Sequence, residues 1–227
     1  MSPIAANVEA LRRRIAHVSG GREVTLVAVS KQRRAEEIGQ ALAAGCSDIG
    51  ESYVQEALPK IAALSGAGIR WHYIGHLQTN KARDIASGFD WVHGVDRSKA
   101  ASALAKARPP GLEPLNICVQ VNISAEATKG GVVPSQALAL CREVAAMPRL
   151  RLRGLMGMAA PTAVAAVQRA QFASLRATFD EVRAAGIALD TLSMGMSDDF
   201  EAAIAEGSTM VRIGTAIFGE RSRKAAA

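Results

Sequence analysis

Aromatic side chains are scarce in this sequence: two tryptophans, two tyrosines and five phenylalanines make up 4% of its 227 residues. They are scattered and build no basic-aromatic stripe on which bases could stack, so the formal charge of +6 does not by itself indicate nucleic acid. The positive excess is broken into small groups such as Arg12-Arg13-Arg14 and Arg33-Arg34. Cysteine is scarce too. Cys46, Cys118 and Cys141 are odd in number and far apart, with neither CxxC spacing nor a histidine cluster nearby, which leaves reduced, buried thiols as their reading. No apolar run approaches the length of a membrane span. No stretch repeats, and no segment rich in Pro, Gly or Ser marks a domain boundary, so one domain over residues 1–227 is expected. The opening residues, MSPIAANVEALRRRIAHV, form an acid-containing amphipathic helix pattern without a signal-peptide core, and a cytoplasmic protein is expected.

What is present is ordinary globular composition, 49% hydrophobic and 21% charged, organised around one stretch, VTLVAVSK at Val24 to Lys31. This β-branched run reads as a buried parallel strand ending in a cation. In an α/β barrel the C-terminal strand ends face the active site, which makes Lys31 the first candidate for chemistry. A desolvated lysine holds more neutral amine with which to attack an aldehyde and form a Schiff base. Taken alone, the stretch reads more readily as a lysine snorkelling into water.

Further strands are expected at Asp48 to Gly50, Arg70 to Gly75, Asp90 to His93, Leu115 to Val121, Leu150 to Met156, Leu189 to Ser193 and Thr209 to Ile213, with helical patterns between them. Thr79 stands where an N-cap would open the segment to Ser87, and Ser197 where one would open the helix Asp198 to Ala205. Eight strands in strict alternation with helices imply a (β/α)8 TIM barrel with an extra N-terminal helix; a doubly wound open sheet stays open, because periodicity cannot show closure.

Barrel enzymes often bind phosphate between the loops after strands seven and eight. Here Ser193-Met194-Gly195-Met196-Ser197-Asp198 passes from strand to helix through a glycine, and Arg212-Ile213-Gly214-Thr215 closes the last strand with an arginine and a Gly-Thr pair. A plain N-cap and a salt bridge inside the barrel are the alternatives for Ser197 and Arg212 taken singly. Asn122 and Lys129, after strand five, could reach a ligand. Met156, Met158, Met194 and Met196 suit either an apolar floor under an aromatic ring or plain core packing. His72 and His76 are four apart on a strand and its exit, which argues against a shared metal.

Seven segments in order, AVSK (Ala28 to Lys31), GESYVQE (Gly50 to Glu56), WHYIGHLQTNK (Trp71 to Lys81), VNISAEATKGG (Val121 to Gly131), GLMGM (Gly154 to Met158), LSMGMSDDFEAAI (Leu192 to Ile204) and GSTMVRIGTAIFG (Gly207 to Gly219), resemble the pyridoxal phosphate homeostasis protein family, related to the barrel domain of alanine racemase. The resemblance spans nearly the whole chain. It implies a barrel that binds pyridoxal 5′-phosphate, with Lys31 as the Schiff-base lysine, Ser197, Gly214 and Thr215 at the phosphate, and Arg212 facing the pyridine nitrogen. Ser52 stands where the family usually has asparagine, which puts any cofactor contact there in question. Ser52, Asn122 and Met196 complete the expected cofactor set. An arginine at the ring nitrogen supplies no proton to it and leaves the ring a weak electron sink.

The function expected from this is a non-catalytic carrier in intracellular cofactor homeostasis, with apo-enzymes as possible recipients, neither membrane nor specific nucleic acid as partner, and a monomeric state. An amino-acid racemase is the alternative, although neither Tyr53 nor Tyr73 stands where the racemase base would. A Schiff-base aldolase acting on a sugar phosphate and a nucleic-acid module are the remaining readings.

Overall fold

The computed structural model describes residues 2–124, 126 and 130–220. The first helix, α1 (Pro3–Ser19), starts where the chemistry says it should: the Ser2 hydroxyl accepts from the Ala5 amide at 3.2 Å, and Pro3 occupies a first-turn position that needs no amide donor. It ends at Gly20 in the left-handed conformation, φ 60°.

Strands β1 (Thr25–Val29), β2 (Asp48–Glu51), β3 (Arg70–Tyr73), β4 (Trp91–Val95), β5 (Leu115–Gln120), β6 (Leu150–Met156), β7 (Thr191–Ser193) and β8 (Met210–Ile213) follow. Between them run α2 (Ala35–Ala43), α3 (Val54–Ala63), α4 (Ala82–Gly88), α5 (Ser98–Ala107), α6 (Pro134–Ala145), α7 (Ala165–Ala184) and α8 (Phe200–Ala205). A short helix, α9 (Thr215–Phe218), comes after the last strand. All strand pairs are parallel, and β8 pairs with β1 through Thr25↔Met210 to Ala28↔Ile213, so the sheet closes into a barrel. Closure removes the open-sheet alternative.

Period-2 alternation divides each strand between two layers. Outward residues such as Ala28, Ile49, Leu155 and Ile213 join helix residues such as Ile38, Ala57, Leu104, Val144 and Phe172 in one continuous core. Inward residues Val27, Trp91, Cys118, Met156 and Met210 form a separate cluster inside the barrel. Several other inward positions are polar: Asp48, His72, His93, Ser193 and Arg212 are all buried. This polar axis is the fold's departure from an apolar barrel interior.

The expected elements are present with three corrections. Thr79 opens a 3-10 turn, Thr79–Lys81, and α4 starts only at Ala82, so Thr79 caps no α-helix. Ser197 is not the cap of α8: Asp199 holds that position, with its carboxylate turned back to accept from the Met196 amide at 2.6 Å. The helix α9 was not anticipated, because four residues are too few to show a period.

Candidate functional site

Lys31 lies two residues beyond the end of β1, at the C-terminal mouth of the barrel. Its flanks are tied down. The Ser30 hydroxyl donates to Glu51 Oε1 at 2.5 Å, and Lys60 Nζ donates to the Ser30 carbonyl at 2.8 Å, to Glu51 Oε1 at 2.7 Å and to Glu56 Oε1 at 2.6 Å. On the other side Gln32 stands at φ 63°, a left-handed conformation costing a non-glycine residue about 1 kcal/mol, and its amide donates to Glu56. Burial pushes the Glu51 carboxyl up against the opposing pull of Lys60, and Glu51 Oε2 has no partner among the described residues. The backbone on both sides of Lys31 is thus held by one buried ion cluster from β2 and α3, a strain of the kind that gathers at functional sites.

A cavity of about 250 Å³ opens beside Lys31. Its walls include Lys31, Ser52, Met196, Ser197, Arg212, Gly214 and Thr215, seven of the eight residues singled out from the sequence for the cofactor. Asn122 is the exception and does not line the cavity. Its amide donates to the Glu126 carbonyl at 2.9 Å and its side-chain oxygen accepts from Ser124, so it braces its own loop. Lys129 lies outside the described residues. Met156, Met158 and Ile74 add apolar surface, whereas Met194 faces away and is packed in the outer core.

The anion end is built from two loops. Gly195, at φ 99°, has no room for a side chain, because a Cβ would stand 2.8 Å from that of Ala203; this turns the β7 exit sharply enough to bring Ser197 over α9. Ser197 Oγ accepts from the Ala216 amide at 3.4 Å, joining the two loops. A Cβ on Gly214 would press on the Val29 carbonyl at 3.3 Å. Ser52 is placed by a similar approach: its carbonyl lies 2.1 Å from where a Cβ of Gly75 would be, so only glycine lets the exits of β2 and β3 meet.

Arg212 enters from below. It is buried, donating from one terminal nitrogen to Ser193 Oγ at 2.6 Å and from the other to the Gly157 carbonyl at 3.1 Å. Among the described residues no carboxylate pairs with it directly. Burial pushes its guanidinium down to about 10, which leaves it charged at neutral pH. Beneath it, Ser193 Oγ meets His93 Nδ1 at 2.8 Å, His93 Nε2 meets His72 Nδ1 at 3.0 Å, and His72 Nε2 meets Asp48 Oδ1 at 3.0 Å. Arg70 forks onto the same carboxylate at 2.7 and 2.6 Å. Burial alone would raise Asp48, but the hydrogen bonds from Arg70 and His72 outweigh it and hold the carboxyl well below the usual range. Burial lowers both histidines.

Sequence reasoning weighed His72 with His76, argued against a metal shared between them and did not single out His93; the structure places His72 and His93 side by side and leaves His76 exposed. The available signal was alternation: His93 stands two residues from Trp91 in a strand otherwise apolar, on the same inward face. Among the described residues no group of three or more His, Cys, Asp or Glu is gathered as a metal site. Neither tyrosine lines the cavity: Tyr53 is 57% exposed, and the buried Tyr73 hydroxyl donates to the His76 carbonyl at 3.0 Å. All three cysteines are buried and free, and burial pushes Cys118 and Cys141 up to about 12, so none is an activated nucleophile.

A profile of the alanine racemase N-terminal domain family matches residues 1–222. The chain is 52% identical over 226 residues to the pyridoxal phosphate homeostasis protein of Pseudomonas aeruginosa, covering 97% of both, and 46% identical over 236 residues to that of Escherichia coli, covering 97% of this chain and 98% of the other. Among solved structures it resembles PipY of Synechococcus elongatus with pyridoxal phosphate bound, with a TM-score of 0.84 and 35% identity, covering 95% of this chain and all of that one. Alanine racemase from Corynebacterium glutamicum shares the fold, with a TM-score of 0.73 and 17% identity over 99% of this chain and 63% of that one. With two relatives of 52% and 46% identity matched along nearly their whole length, the chain belongs to the pyridoxal phosphate homeostasis protein family.

Proposed function

We propose that the protein holds pyridoxal 5′-phosphate in the cavity between Lys31 and Arg212, as an exchangeable Schiff base on Lys31, and serves the intracellular homeostasis of this cofactor with little or no turnover. The observation that carries the reading is the donor set of one cavity: a primary amine, two hydroxyls at a glycine turn, a buried guanidinium and a thioether wall. Those groups fit the cofactor's aldehyde, phosphate, ring nitrogen and aromatic ring respectively. When bound, the cofactor supplies an electrophilic aldehyde and an electron-withdrawing ring.

The chain's own residues divide the work. Lys31 supplies the amine, on a backbone that the Glu51, Glu56 and Lys60 cluster keeps from shifting. Ser197 and Thr215 offer hydroxyls to the phosphate, and Gly214 lets the backbone come close. Arg212 donates to the ring nitrogen and gives it no proton, which weakens the ring as an electron sink. With no tyrosine on the cavity wall, the second acid/base that racemisation needs is not supplied by either tyrosine of the chain. Delivery to apo-enzymes and a monomeric state belong to the same reading. So does a place of work in the cytoplasm; among the described residues no helix is long and apolar enough to cross a membrane.

The test is a spectroscopic titration with pyridoxal phosphate, run beside a racemase assay on amino acids. A visible band that saturates, with no racemisation, supports the carrier. Racemisation at enzymatic rates would replace it by the alternative.

A further inference from the structure

The polar axis of the barrel is more than a set of satisfied side chains, because its chemistry allows only one direction of donation. An arginine can only donate, so Ser193 Oγ accepts from Arg212 through one of its two lone pairs, and its O–H is free to donate to His93 Nδ1. His93 then carries its proton on Nε2 and donates to His72 Nδ1, and His72 donates from Nε2 to Asp48. The opposite sense fails at the far end: it would aim the lone pair of His72 Nε2 at a carboxylate that the Arg70 fork keeps ionised. The carboxylate end thus sets the sense, the arginine end accommodates it, and two rings kept neutral by burial carry it through the whole chain.

We propose that His93, His72 and Asp48 are positioning residues for Arg212. The chain locks Ser193 as an acceptor and aligns every intervening dipole with its negative end toward Arg212, which holds the guanidinium charged and oriented with its remaining N–H groups toward the cavity. In this arrangement a buried cation with no carboxylate in contact among the described residues receives, through four hydrogen bonds in series, the field of a carboxylate at the other end of the barrel. The relay spans the molecule: Arg212 faces the cofactor cavity, and Asp48 and Arg70 face a second cavity of about 410 Å³ at the N-terminal end. The titratable and charged groups around the two rings are Asp48 and Arg70, Asp90 before β4, Cys118 on β5 and Arg212 on β8. Trp91 stacks on His72 at 5.4 Å between centroids and an interplanar angle of 11°, which fixes the plane of that ring.

The role at the ring nitrogen rests on the function proposed above, but the direction of the relay does not. The experiment therefore has two arms. In the protein without cofactor, long-range proton–nitrogen correlation spectra report the imidazole tautomers, assigned by substituting each of the four histidines in turn. His72 and His93 are expected as neutral Nε2–H tautomers, unchanged between about pH 6 and 8. A charged ring or an Nδ1–H tautomer at either position overturns the relay, whatever the protein binds. In the second arm, His93→Leu cuts the chain without touching the cavity and is expected to weaken pyridoxal phosphate binding about tenfold and to shift the visible band, as loss of a hydrogen bond supporting a charge would. His93→Gln, which can still accept from Ser193 and donate to His72, is expected to recover most of the affinity. A purely structural histidine would lower the melting temperature of the leucine variant and leave band and affinity unmoved, and that result overturns the positioning role. If the leucine variant does not fold, the wild-type tautomers and the glutamine variant decide. Absence of any band in the wild type counts against the cofactor reading alone and leaves the tautomer arm standing.

Discussion

Lys31 and Arg212 stand out in the sequence because each is a cation near the end of a buried apolar run with a glycine-bearing loop close by, and the structure puts both on the wall of one cavity. Their roles can be separated by substitution. Thr215→Val removes one hydroxyl from the anion end and is expected to weaken pyridoxal phosphate binding about fivefold to tenfold, read in the same titration, with the covalent adduct still formed; unchanged affinity would take Thr215 out of the phosphate site. Arg212→Glu is expected to raise the proton affinity of the ring nitrogen and to speed side reactions of the bound cofactor with amino acids. Unchanged reactivity in that variant would contradict the electronic argument. Asn122 shows the limit of reading one residue at a time: a polar side chain after a barrel strand suits a ligand contact, but its own loop offered Ser124 and the Glu126 carbonyl first.

At the scale of elements, strands were readable because parallel strands buried on both faces appear as unbroken apolar runs, and helices because glycines such as Gly45 and Gly186 stop them. The helix α9 was too short to show. So was the relay, whose members come from β2, β3, β4, β7 and β8, strands of three to five residues in which one polar inward position makes no pattern. Close approaches between strand exits are also invisible in a sequence, where Gly75 is one glycine among 20. Gly75→Ala would set a methyl 2.1 Å from the Ser52 carbonyl and is expected to cost about 3 kcal/mol, roughly 6–12 °C in melting temperature. A shift within 1 °C, by our estimate no more than a few tenths of a kcal/mol, would show that the β2 and β3 exits have room to separate. Lys60→Met leaves Glu51 buried without its cation and is expected to destabilise by about 3–5 kcal/mol, measured by urea unfolding.

For the whole molecule, the buried axis dictates how the barrel responds to acid. His72 and His93 have folded pKa values below their unfolded ones, so the unfolded chain takes up protons first and stability falls as pH drops below about 6.5. Asp48 is depressed as well, but as a carboxylate its contribution is complete above about pH 4 and is lost only as pH falls further. Acid destabilisation is therefore expected in two stages, seen in melting temperature against pH, with His93→Gln removing part of the first; a melting temperature flat from pH 7 to pH 5 would contradict neutral buried rings. The central claim is that this barrel carries pyridoxal phosphate on Lys31. Its most direct test is borohydride reduction of the purified protein mixed with pyridoxal phosphate, followed by peptide mapping. The account expects one reduced adduct, on Lys31, absent from Lys31→Ala. An adduct at full yield in that variant, or none in the wild type, would contradict it.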